Sequence, residues 1–154
     1  MNQETALEKL HIIAFTHRNL PVSEIGSLHI DSVQQQERLS AFKERIGLQE
    51  LMFLSTCNRV EFMFVTESIV EENFLHSFFD VLYPDLSEEQ RSKFVSSAEL
   101  YHGMSAVEHQ LCVASSVDSM VVGRSDGRRV GKGGTWGWGD GGSEKEKQHR
   151  EEGR

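Results

Sequence analysis

Short apolar runs and helically spaced apolar stripes alternate along residues 1–123, and each predicts an element. After a polar lead-in, His11 to Thr16 (HIIAFT) has the length and composition of a buried strand, followed by a polar loop through His17, Arg18, Asn19 and Pro21. Ser32 to Gly47 carries Leu39, Phe42 and Ile46 at helical spacing, with Ser32 and Gln35 in capping-box relation and Gly47 at the stop. Leu51 to Leu54 (LMFL) and Val60 to Val65 (VEFMFV) read as two strands, and the small or polar Ser55-Thr56-Cys57-Asn58-Arg59 joins them as a hairpin-like unit. A second helix is expected from Ser68 and Glu71 as a capping box, with Val70, Phe74, Leu75, Phe78, Val81 and Leu82 as a wide stripe ending at Pro84.

Ser87 with Gln90 starts a shorter helix to about Phe94, and Glu99 to His102 reads as a strand or a connector. Ser105 with Glu108 opens a last helix to about Val117. On a wheel, Ala106, Val107, Leu111, Val113, Ala114 and Val117 share one broad face, which places Ser105, His109, Cys112 and Ser116 opposite the expected core stripe. The order of strands and helices implies an α+β fold, a ferredoxin-like sheet with helices packed on one face.

Pattern ends at Gly123. The following residues, 124–154, contain 9 of the 13 glycines, both tryptophans and a single aliphatic residue, Val130, so this low-complexity tail is expected to be disordered. Domain organisation is therefore read as a folded unit over 1–123 and a tail over 124–154. Charge divides at the same place: 8 Lys+Arg against 18 Asp+Glu before it, 8 against 6 after it. An acidic body argues against nonspecific nucleic-acid binding, while leaving room for local basic contacts to an RNA end. With no apolar run of membrane-spanning length and no secretory signal in Met1 to Leu10, a cytoplasmic location is expected.

Candidate chemistry is sparse. Cys57 and Cys112 have no Cys or His partner at zinc-finger spacing, and neither a metal site nor a disulfide is expected. Gly137, Gly139 and Gly142 match Gly-x-Gly-x-x-Gly, yet no apolar strand precedes them and the chain has 12 further residues, too few for the acidic residue that would hold a ribose. Cys57 sits in the polar loop two residues before Arg59. A thiol there is accessible, and a nearby guanidinium would favour the nucleophilic thiolate; alternatively the planar fork of Arg59 would clamp a substrate carboxylate. The plainer alternative is a small turn residue beside a surface charge. His109 by itself reads as a partly exposed surface histidine, and Cys112 as a structural thiol.

Ser55 to Glu61 (STCNRVE) resembles the catalytic loop of glutamyl-tRNA reductase, and two further blocks agree in order: Thr16 to Glu24 (THRNLPVSE) and Ala106 to Gly123 (AVEHQLCVASSVDSMVVG). The resemblance implies that Cys57 is the nucleophile, that Thr56, Asn58, Arg59 and Ser119 bind the glutamyl substrate, and that His109 acts as a proton donor. It further implies glutamyl-tRNA as substrate, NADPH as the reductant that yields glutamate-1-semialdehyde for tetrapyrrole synthesis, and a homodimer in the full-length family. Arg124, Ser125 and Asp126 stand where the family has further pocket residues, and Cys112 and Ser116 replace its usual Arg and Gly. The expected chain is thus a truncated form lacking the NADPH and dimerisation domains. A noncatalytic glutamyl-tRNA or partner-binding module and a residual glutamyl-tRNA esterase are the alternatives.

Overall fold

A computed structural model describes residues 3–115 and the strand pair 135–136. In chain order the elements are α1 (Gln3–Glu8), β1 (Leu10–Thr16), α2 (Val22–Ile25), a 3-10 turn (Gly26–Leu28), α3 (Ser32–Ile46), β2 (Glu50–Ser55), β3 (Arg59–Val65), α4 (Glu72–Leu82), α5 (Glu88–Ser97), β4 (Glu99–His102), α6 (Met104–Ala114) and β5 (Thr135–Trp136). The first four strands form an antiparallel sheet ordered β4-β1-β3-β2, the ferredoxin-like order, and β5 pairs with the outer edge of β2. The expected α+β sheet is therefore present. The expected disorder of the tail concerns residues that, apart from 135–136, lie outside those described.

Strand pleat divides the side chains between two faces. Ile13 and Phe15 of β1, Phe53 of β2 and Val60, Phe62 and Phe64 of β3 point into the main core with Phe42 of α3, Phe78 and Phe79 of α4 and Phe94 of α5. Phe78 is fully buried and meets Phe42, Phe62 and Phe79 edge-on at centroid distances of 4.8–5.3 Å, a favoured aromatic geometry. The opposite face carries Ile12 and Ala14, which pack against Ala106 of α6. Three of the helices thus cover one face as expected, and α6 is an addition on the other.

Helix starts differ from the sequence reading at three places. Asp31, not Ser32, caps α3, its carboxylate accepting from the Val33 amide. The α4 helix begins after Glu71 without a side-chain cap, and Ser68 instead donates its amide to Thr66. The α6 helix begins after Gly103, whose φ of 61° suits glycine, and Ser105 bonds back to His102 rather than forming a box with Glu108. In each case a turn bond one to three residues upstream satisfies the backbone first. The Ser87–Gln90 capping box forms as read.

Candidate active site

Register places the chemistry. Thr16 pairs with Arg59, Ala14 with both Glu61 and Glu99, and Ile12 with both Met63 and Tyr101, so these residues share the sheet face that α6 covers. Small Ala14 at the centre leaves space above it, and the larger polar chains on either side fill that space. Thr16, Arg59, Glu61 and His109 are all buried, which requires each to find partners.

They do so in one connected array. Glu61 Oε1 accepts from Arg59 Nη1 and from His109 Nε2, both at 2.9 Å. The His109 ring stacks on Tyr101 with centroids 4.0 Å apart. Tyr101 donates its hydroxyl to Glu99 at 2.8 Å, and the other Glu99 oxygen accepts from Thr16 at 3.1 Å and from Asn19 at 3.0 Å. Burial first, then the bond to and charge of Glu99, push the Tyr101 hydroxyl up to about 12, so it is a stable donor at neutral pH.

Cys57 stands two residues before Arg59 of this array. It is the exposed tip of the β2–β3 turn, a free thiol held between half-buried Thr56 and buried Asn58. The turn is braced from both sides: Thr56 donates its hydroxyl to Asn58 Oδ1 at 2.8 Å, the Thr56 amide donates to the Arg59 carbonyl, and the His17 amide donates to the Asn58 carbonyl. His29 Nδ1 sits 2.9 Å from the Ser55 hydroxyl below. Thr56 and Asn58 thus hold the loop's shape, and Cys57 alone of the five loop residues is presented to solvent.

Two expectations change. Arg59 is not a surface charge: it is 3% exposed and committed to Glu61, because its register position points it under α6. His109 is not on the outer side of its helix: it is buried, while Leu111 of the expected core stripe is 65% exposed. The sheet face beneath α6 holds a buried ion pair beside the apolar Ile12 and Ala14, so the helix turns its histidine inward to meet it. Cys112 is exposed. Ser119 lies outside the described residues, as do residues 124–126. The sequence reading assigned no role to Glu61, Tyr101 or Glu99. A glutamate among apolar residues in a buried strand is the signal that singles out Glu61.

A groove of about 570 Å³ opens at the other end of the sheet, lined by Lys9, His11, Thr66, Glu67, Ile69 and His102 among others, and shares only Tyr101 with the polar array. Among the described residues no cluster of three or more His, Cys, Asp or Glu is placed to hold a metal ion, and no helix is long and apolar enough to cross a membrane.

The family model described as "Glutamyl-tRNAGlu reductase, N-terminal domain" matches residues 13–126. The chain is 34% identical over 118 residues to the glutamyl-tRNA reductase of Lawsonia intracellularis, covering 75% of this chain and 26% of that protein. To the glutamyl-tRNA reductase of Corynebacterium efficiens it is 33% identical over 112 residues, covering 73% and 23%. The solved structure of the glutamyl-tRNA reductase from Methanopyrus kandleri superposes with a TM-score of 0.52 at 25% identity, covering 73% of this chain and 24% of that one. The chain spans about a quarter of the length of the curated relatives it matches.

Proposed function

The chain belongs to the glutamyl-tRNA reductase N-terminal domain family, and on that premise we propose that it takes the glutamyl group of glutamyl-tRNA onto Cys57 as a thioester. The observation that carries this reading is the exposure of Cys57 in the turn that leads into Arg59 and Glu61, which join His109 in one buried array. Cys57 Sγ, having given up its proton, attacks the ester carbonyl carbon and forms the S–C bond. The tetrahedral adduct then breaks its C–O bond to the tRNA 3′ ribose, whose oxygen takes a proton from His109. The proton count balances when His109 receives the thiol proton and returns it to the leaving oxygen.

Thr56 and Asn58 fix the loop that presents the sulfur, and with Arg59 and Ser119 they are the residues we assign to the glutamyl group. Arg59 contributes its positive field from beneath the loop, its nearer nitrogen being engaged by Glu61. Positioned charge of this kind acts most strongly where water is excluded.

NADPH would supply the hydride that converts the thioester to the aldehyde. The described residues do not form a dinucleotide cradle: the positive-φ glycines are Gly47, which ends α3, and Gly103, which stands alone before α6. Reduction is accordingly assigned to parts of the full-length relatives that this chain does not match, together with homodimer formation. Tetrapyrrole synthesis and a cytoplasmic site of action follow from the same assignment.

Glutamyl-tRNA charged with radiolabelled glutamate tests the reading. Label should become bound to the protein without NADPH, hydroxylamine should release it, and Cys57→Ser should bind none. Tight binding of glutamyl-tRNA with no covalent label in the folded wild type would leave a noncatalytic recognition module instead.

A further inference from the structure

Glu61 Oε1 already accepts a guanidinium N–H from Arg59 when His109 Nε2 approaches it at 2.9 Å. An accepting oxygen requires a donor opposite, so the imidazole proton must lie on Nε2. Among the described residues His109 Nδ1 has no hydrogen-bond partner, so it is the ring nitrogen left for proton transfer. The stack on Tyr101, itself anchored to Glu99, packs on the face of the ring and holds its plane. We infer that Glu61 is a positioning residue that fixes His109 with its proton on Nε2, and that Nδ1 is the nitrogen that takes the proton from, and returns it to, the reacting groups at Cys57.

This assignment rests on the glutamyl-transfer reading for the identity of the reacting groups, whereas the tautomer itself does not. Neutral imidazole has one donor and one acceptor nitrogen, and the partner of one decides the chemistry of the other. A carboxylate partner on Nε2 also stabilises the imidazolium formed when Nδ1 takes a proton, and it leaves that proton on the nitrogen that Glu61 does not engage. The groups facing the ring are Glu61 and Arg59 from β3 and Tyr101 from β4, with Glu99 beyond Tyr101.

Nitrogen-15 NMR of the histidine-labelled full chain reads the tautomer directly, with the His109 signals assigned by their loss in His109→Gln. The expected result above neutral pH is a protonated Nε2 and a bare, pyridine-like Nδ1. A protonated Nδ1, or fast mixing of both forms, overturns the inference. In Glu61→Asp the carboxylate retreats by one methylene; the flexible Arg59 can follow it and the helix-bound imidazole cannot, so the Nε2–H preference should be lost.

The chemical arm uses His109→Gln, whose amide can still donate to Glu61 from the Nε2 position but offers nothing at Nδ1. It should keep the wild-type fold and bind glutamyl-tRNA, with acylation of Cys57 slowed by about 10²–10⁴-fold, the usual range for a lost proton-transfer group. Undiminished acylation in a folded His109→Gln overturns the role of Nδ1. A wild type with the Nε2–H tautomer but no acylation would instead remove the glutamyl-transfer reading and leave Glu61 as a structural partner of His109.

Discussion

Glu61 and Arg59 show how one strand position governs a site. Both are buried on β3, and a buried charge without its partner is strongly unfavourable, so their pairing and the inward turn of His109 arise together. The loop motif was legible in the sequence, as was the exposure of Cys57. The burial of Arg59 was not, because spacing alone does not say which side of a strand the residue after a turn will occupy. Tyr101 gives a test at this scale. Its hydroxyl is pushed up to about 12 by burial and by Glu99, and Tyr83 is also shifted upward by burial, so no tyrosine should ionise near the ordinary 10 in the folded protein. A raised value means the folded chain keeps its proton longer than the unfolded one. The resulting stabilisation is fully present below about pH 10 and is lost as pH rises through about 12. Ultraviolet titration of the phenolate band checks this, and a tyrosine midpoint near 10 while the fold persists would contradict the array.

At the level of elements, the strands β1 to β3, the β2–β3 hairpin and the apolar stripes are legible in the sequence, whereas α1, α2 and β5 are not. The apolar runs of β1 and β3 and the helical stripe of α4 depend on residues close in the chain. The phase of α6 differs from its apolar stripe for the opposite reason: Ala106 of that stripe is buried as expected, but the ion pair in the surface it covers draws in His109 while Leu111 is left exposed. Helix starts at α3, α4 and α6 were displaced for a similar cause, since neighbouring turns compete for the same backbone donors. Where the pattern is right, packing should carry a large energy. Phe78 of α4 is fully enclosed by Phe42, Phe62 and Phe79, so Phe78→Ala should destabilise the fold by about 3–5 kcal/mol in urea unfolding. A loss below about 1 kcal/mol would mean that the aromatic cluster is not the centre of the core.

For the whole molecule, the sheet order β4-β1-β3-β2 brings the ends of β1 and β2 and the starts of β3 and β4 to one edge. That edge holds Cys57, Arg59, Thr16 and Glu99, residues scattered over more than half of the chain, which is why the loop motif alone did not reveal the surrounding polar array. The other face holds the aromatic core that keeps the sheet rigid beneath it. The proposed glutamyl transfer turns on a single atom, Cys57 Sγ, with a built-in control: Cys112 is equally a free and exposed cysteine but lies in α6, away from the β2–β3 turn in sequence. The most direct measurement is peptide mass spectrometry of the chain after reaction with glutamyl-tRNA in the absence of NADPH. The account predicts one glutamyl mass on the peptide containing Cys57 and none on the peptide containing Cys112. Modification of Cys112, or equal modification of both, would contradict it.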